Sequence, residues 1–110
     1  MAYFLIQSRF ASEGYRGLTS NPQDRGAAVA KLMEAVGGKL HSFFFAFGEY
    51  DTCIIVELPD NVSAASAVLT ALSAGGQYQI KTTPLMTREE GVQAMQKAAS
   101  LAGSWTRPGG

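Results

Sequence analysis

Few side chains in this chain of 110 residues could perform chemistry, and the most versatile belongs to its single histidine, His41. An imidazole can both accept and donate a proton near neutral pH, which makes His41 the first candidate for a general base. If the hairpin that contains it has a three-residue loop, 48–50, His41 lies opposite Glu57, whose carboxylate would orient the ring. A two-residue loop changes the parity of the strand, and His41 then faces Leu58. The sequence leaves both registers open.

In the first register, His41 and Glu57 share one face of the hairpin with apolar neighbours that include Phe43 and Phe45. A carboxylate-oriented imidazole in an apolar pocket suits a general base, and it also suits an axial haem ligand. We therefore take His41 and Glu57 as candidate catalytic residues, although a histidine at a strand end is usually a half-exposed surface residue. As an alternative, His41 would be an axial ligand of haem, and no other cofactor is expected.

A second candidate is the pair Tyr50 and Asp51, at the end of the turn 48–51. A phenol and a carboxylate side by side could hydrogen-bond a ligand, but aspartate is also an ordinary turn residue that accepts backbone N–H groups. Arg9, with Arg16 and Arg25, could hold an anion near the first loop, although nothing there resembles a phosphate loop. The predicted ligand-binding residues are Arg9, His41, Phe43, Phe45, Tyr50 and Asp51.

The composition excludes several functional classes. Nine basic and nine acidic residues cancel, and charged residues make up only 16% of the chain, which argues against a nucleic-acid binder. A single cysteine, Cys53, rules out an internal disulfide framework and a cysteine-based zinc site, so no metal site is predicted. No apolar run approaches the roughly 20 residues of a membrane span. We expect a cytoplasmic protein with one domain, 1–102, and a flexible tail, 103–110.

Hydrophobic spacing and capping residues predict the elements that must position these side chains. Asn21 and Pro22 are typical of a helix start, and the Gly37–Gly38 pair of a helix end. Residues 11–20, which contain two glycines, are expected to form an exposed loop. The predicted elements are strand 2–10, helix 21–36, strands 39–47 and 52–58, helix 61–74 with Asp60 or Asn61 as its cap, strand 78–85 and a helix that begins at a Thr87–Glu90 capping box.

This order, β-α-β-β-α-β-α, predicts an α+β fold of the ferredoxin-like type, βαββαβ, with a four-stranded antiparallel sheet and an added C-terminal helix. The central hairpin carries large apolar side chains on both of its faces, notably in 43–47 and 54–56. Helices can cover only one face, and the other would expose several aromatic rings. We therefore expect a homodimer in which the sheet faces of two copies pack together.

The segments Gly37–Leu40, Phe43–Phe47, Gly48–Asp51 and Val56–Asp60 resemble the signature of GYD domains, small bacterial proteins named for a Gly-x-Tyr-Asp turn. The resemblance covers roughly residues 1–90 and implies a dimeric α/β-barrel, but it implies no established activity. The same turn, followed by an apolar strand and Pro-Asp, is also similar to the effector-binding domain of leucine-responsive-type regulators. That second likeness implies binding of a small molecule.

Three functions follow as hypotheses. The first is a homodimeric small-molecule-binding or sensory domain that holds a small hydrophobic ligand in an apolar pocket of the barrel. The second is a cofactor-free oxygenase or isomerase that acts on a small hydrophobic substrate, with His41 as base. The third is a scaffold that binds a partner protein. We expect neither nucleic acid nor a membrane as partner.

Overall fold

The computed structural model describes all 110 residues, which form four strands, four α-helices and a short 3-10 helix. The strands are β1 (Ala2–Phe10), β2 (Lys39–Phe45), β3 (Thr52–Leu58) and β4 (Gln77–Leu85). The helices are α1 (Ser12–Ser20), α2 (Gly26–Ala35), α3 (Asn61–Ser73) and α4 (Arg88–Leu101), and the 3-10 helix spans Ala102–Ser104. The predicted α+β class and the four-stranded antiparallel sheet are confirmed, and α1 is a helix that was not predicted.

The four strands form one antiparallel sheet in the order β2-β3-β1-β4. Buried and partly exposed residues alternate along β1 and β3, so one face of the sheet is dry. Val56 and Leu58 are fully buried on that face, where α2 contributes Met33 and α3 contributes Ala67 to the same core. We call the opposite side, which no helix of the chain buries, the open face.

Three local predictions are confirmed. The Asp60 side chain accepts a hydrogen bond of 2.8 Å from the backbone N–H of Ser63 and so caps α3. Thr87 and Glu90 form a reciprocal capping box at the start of α4. Gly37 ends the second helix with a φ of +86°, a conformation that favours glycine.

The loop predicted at 11–20 is wrong, because residues 12–20 form α1. Tertiary contacts with Gly76, in the connection between α3 and β4, hold this glycine-containing helix in place. The Glu13 carboxylate accepts from the backbone N–H of Gly76 at 3.0 Å, and Gly76 accepts from the N–H of Ala11 at 2.8 Å. A side chain at Gly14 would lie 2.2 Å from the same carbonyl oxygen, so only glycine permits this close approach.

The predicted start of the next helix at Asn21–Pro22 is also wrong. Helix α2 begins at Gly26, and Arg25 occupies the N-cap position without a side-chain cap. The carboxylate of Asp24 accepts from the N–H of Gly26 at 2.8 Å, a local turn that competes with an earlier helix start. The segment 21–25 therefore links α1 to α2, which places Arg25 near the end of the sheet.

The central hairpin has neither of the two predicted registers. Phe45 pairs with Thr52, and a β-bulge between Leu40 and Ser42 shifts the pairing at His41. Strand β2 ends at Phe45 rather than Phe47, and the Phe47 side chain is fully exposed in the connection that follows.

Helix α4 has no buried residue and extends from the end of β4, which gives the molecule a longest dimension of 59 Å. Beyond it, the Trp105 side chain is 74% exposed. The flexibility of 103–110 stays a prediction. None of the four helices combines the length and the apolar character needed to cross a membrane.

Candidate functional site

The bulge in β2 turns His41 toward the open face, where it meets Glu57. Nε2 of His41 lies 2.9 Å from Oε1 of Glu57, and the side chains are 31% and 25% exposed. The Tyr3 ring lies beside the imidazole, with 5.4 Å between ring centroids. The expected contact between His41 and Glu57 is therefore present, although it arises through a bulge rather than through a three-residue loop.

A second group of polar and aromatic side chains surrounds Arg9 at the far end of β1. The Arg9 Nε donates to the carbonyl oxygen of Glu49 at 2.6 Å. Its guanidinium carbon lies 5.8 Å from the ring centroid of Tyr50 and 6.0 Å from that of Tyr78. These distances allow cation–π attraction, which holds the turn 48–51 against β4.

Asp51 joins the hairpin to its neighbours. One carboxylate oxygen accepts from the backbone N–H of Phe10 at 2.9 Å, and the N–H of Asp51 donates to the carbonyl oxygen of Ser8 at 2.8 Å. A hydrogen bond with this carboxylate raises the pKa of the exposed Tyr15 phenol. Asp51 therefore has a structural role at this turn.

The predicted ligand-binding residues do not converge on one pocket. Tyr3 and Arg9 mark the two groups, and Arg9 lies six positions after Tyr3 along the extended strand, a distance of about 20 Å. Phe43 pairs with the buried Ile54 on the dry face. The ring centroid of Phe45 lies 5.0 Å from that of Phe43, so these aromatics are separated from His41 by the thickness of the sheet.

A cavity of about 70 Å³ lies instead on the dry face, between the sheet and helices α2 and α3. Eleven of its fifteen lining residues are hydrophobic. We call it the inner cavity. It contains no histidine, cysteine, lysine or carboxylate side chain, and its lining residues are Ile6, Ser8, Phe10, Arg25, Val29, Leu32, Met33, Phe43, Thr52, Ile54, Ala67, Val68, Ala71, Gln77 and Ile80.

Four polar side chains interrupt this apolar lining. The hydroxyl groups of Ser8 and Thr52 are buried and hydrogen-bond to each other across β1 and β3. The side-chain oxygen of Gln77 is buried and has no hydrogen-bond partner. Arg25 is the one charged residue, and its guanidinium donates to the side chain of Gln23 at 3.0 Å. Gln77 therefore offers an unused acceptor and Arg25 a cation at the same end of the cavity.

A larger and more polar groove of about 470 Å³ adjoins this end. Helix α1, the linker 21–25 and the glycines at 75–76 form its walls. We call it the outer groove. Phe10, Arg25 and Gln77 line both spaces, so the two spaces meet at these three residues. The arrangement joins a small apolar compartment to a polar one, which suits a molecule with an apolar end and a polar end.

Most residues of this site were not predicted from sequence. Ser8 and Thr52 carried a detectable signal, because each falls on the buried parity of its strand, in line with Ile6 and Ile54. A polar residue at such a position needs a partner inside the protein. The sequence suggests Arg25 only as part of an anion clamp. Nothing in the sequence indicates that the side-chain oxygen of Gln77 lacks a hydrogen-bond partner.

No three histidine, cysteine, aspartate or glutamate side chains lie close enough together in this structure to hold a metal ion.

Comparison with known families adds to this geometry. A family model described as the GYD domain matches residues 4–99. The chain belongs to the GYD domain family. No curated protein matches the sequence of this GYD domain. Among solved structures, its fold is similar to that of MtbAldR, with a TM-score of 0.56 and 17% identity over 79% of this chain and 52% of that one. The chain therefore spans about half the length of MtbAldR.

A second similar structure is TTHA0845 from Thermus thermophilus. The match has a TM-score of 0.52 and 17% identity, and it covers 79% of this chain and 95% of the other. At this identity, both likenesses show a shared fold. The function must therefore be argued from the site itself.

Proposed function

We propose that this GYD domain is a small-molecule-binding or sensory domain whose ligand is a short-chain carboxylic acid. The ligand's apolar chain occupies the inner cavity, and its carboxylate lies where the outer groove begins. The observation that carries the proposal is that an apolar cavity and a polar groove share Phe10, Arg25 and Gln77 as a common wall.

The sizes of the two spaces limit the ligand. A cavity of 70 Å³ holds about five water-sized groups, which corresponds to a chain of about four or five carbons. The outer groove is several times larger and is open to additional polar groups on the ligand. A short carboxylic acid such as pentanoate fits the smaller space and leaves its charged end at the junction.

The polar side chains where the two spaces meet determine which head group of a ligand fits there. Arg25 supplies N–H donors and a positive charge, which suit a carboxylate. Gln77 supplies the unused acceptor, which suits a hydroxyl or amine beside that carboxylate. Because the inner cavity has no side chain that could act as a general base and so activate the Ser8 and Thr52 hydroxyls, binding is better supported than catalysis.

The open face supports a homodimer as part of the same proposal. Leu5, Ile55 and Cys53 are half-buried at its centre, and the Phe44 side chain is 65% exposed. A second copy packed sheet to sheet would bury this apolar surface. In such a dimer the inner cavity lies on the helical side of each copy, away from the interface. Ligand binding therefore does not require dimerisation.

The test is a thermal unfolding series with pentanoate and, as the uncharged control, 1-pentanol. A ligand at ten times its Kd stabilises the folded state by about 1.4 kcal/mol, which raises the Tm of a domain of this size by about 5 °C. We expect that rise with pentanoate and a smaller one with pentanol.

Arg25→Gln should abolish the difference between the two ligands. Arg16→Gln removes the same charge from an exposed position on α1 that lines neither space, so it should keep the difference. Equal responses of both variants, or no rise with pentanoate at any concentration, would refute the proposed ligand class.

The His41–Glu57 contact favours a second candidate function, proton transfer by an enzyme whose active site lies on the open face. The carboxylate of Glu57 orients the imidazole, as a general base requires. The test is His41→Ala, which should remove turnover of any substrate found while leaving the response to pentanoate unchanged. The alternative is that His41 serves as an axial ligand of haem. A Soret band that appears on haem addition and is lost in His41→Ala would support haem binding.

A further inference from the structure

Helix α4 lies outside the body of the protein. None of its fourteen residues is buried. The radius of gyration is 17.7 Å, whereas a compact domain of 110 residues has a value of about 13 Å. The helix is about 21 Å long at 1.5 Å per residue, so it accounts for much of the elongated shape.

One side of α4 is apolar from Val92 onward. Val92, Met95 and Ala99, followed by Ala102 at the start of the 3-10 helix, recur at spacings of three and four residues, which places them on one face. The side chains of Val92 and Met95 are 50% and 71% exposed. Gln93 and Ser100 lie on the opposite face. We call the apolar side the α4 stripe.

The chain exposes more surface than a compact monomer of its mass. A compact monomer of this mass exposes about 5,900 Å², and this chain exposes 7658 Å². The excess is about 1,800 Å² per chain on that size scaling. Two copies that cover it would bury about 3,500 Å², which lies within the range of obligate homodimers.

We infer that the α4 stripe docks on a second copy of this chain, so that each copy extends a helix across its partner. A second copy is the fitting occupant because the excess area matches what a stable homodimer buries. The apolar open face also belongs to the same sheet as β4, the edge strand that leads directly into α4. The inference goes beyond the proposed ligand binding and is independent of it.

Sedimentation velocity across a dilution series tests the inference on two double variants of the full chain. Val92→Lys with Met95→Lys places two charges in the α4 stripe. Gln93→Lys with Ser100→Lys places the same two charges on the opposite face of the same helix. Because no residue of α4 is buried within its own chain, both variants should keep the circular dichroism spectrum of the wild type.

The stripe variant should raise the dimer Kd by at least about 100-fold, because a symmetric dimer loses two apolar contacts in each copy. The control variant should change the Kd by less than about threefold, as expected for exposed charges. If the wild type forms dimers and both variants match it, the inference is overturned, while a dimer through the open face is retained. A wild type that stays monomeric overturns the α4 inference and the open-face dimer together, but it leaves the pentanoate test unaffected.

Discussion

Replacement of Gln77 by methionine should stabilise the folded protein. The buried side-chain oxygen of Gln77 has no partner, and an unsatisfied buried acceptor costs about 1–3 kcal/mol. Methionine has nearly the same shape and fills the same space without a buried carbonyl. We therefore expect the free energy of unfolding to rise by about 1–2 kcal/mol and the Tm by about 5–10 °C.

Urea unfolding at one fixed protein concentration measures this change, since association would otherwise alter the apparent stability. Gln79→Met is the matched control, because Gln79 lies two residues away on β4 with an exposed side chain that only accepts from Arg9 at 3.2 Å. Its effect should stay within about 0.5 kcal/mol. A Gln77→Met variant that is less stable than the wild type would show that the side-chain oxygen is satisfied in solution, which would refute the reasoning.

Three further predictions concern the glycines, the helix cap and the open face. Gly14→Ala should destabilise the protein, because its Cβ would lie 2.2 Å from the carbonyl oxygen of Gly76, whereas Gly17→Ala, with nothing within 4 Å, should be neutral or stabilising in thermal unfolding. The N–H groups of the first turn of α3, that of Ser63 above all, lower the pKa of Asp60 below its ordinary value of 3.8, so the stability that this carboxylate adds is present above pH 3.8 and is lost as the pH falls through the lowered pKa. Urea unfolding over a pH series should show a steeper acid loss for the wild type than for Asp60→Asn, and parallel curves would refute it. The thiol of Cys53 should react more slowly with a disulfide reagent as protein concentration rises, because dimerisation covers the open face; a rate independent of concentration would count against that interface.

Local patterns account for the parts of the fold that were predicted correctly. Strand β3 was predicted with its observed bounds because apolar residues fill both of its faces. Asp60 and the Thr87–Glu90 pair satisfy the first N–H groups of their helices wherever those helices pack. Such features depend on residues close together in the sequence, so contacts between distant residues do not alter them.

The errors lie where distant contacts override local preference. Residues 12–20 form a helix because Glu13 and Gly14 dock against Gly76, a contact between residues more than sixty positions apart. The bulge at His41 changes the face of Phe43, and no residue type in β2 signals it. The candidate site was missed for the same reason, since Arg25 and Gln77 line the same cavity only after α1 and the linker 21–25 are in place.

A titration of the isotope-labelled protein with pentanoate, followed by amide chemical shifts in NMR spectra, tests the central claim most directly. Binding at the junction predicts that the largest saturable shifts belong to the amides of Phe10, Gly26 and Gln77, which surround the shared wall of the inner cavity and outer groove. Shifts centred on His41 and Glu57 would place the ligand on the open face and contradict the account, as would a spectrum that pentanoate leaves unchanged.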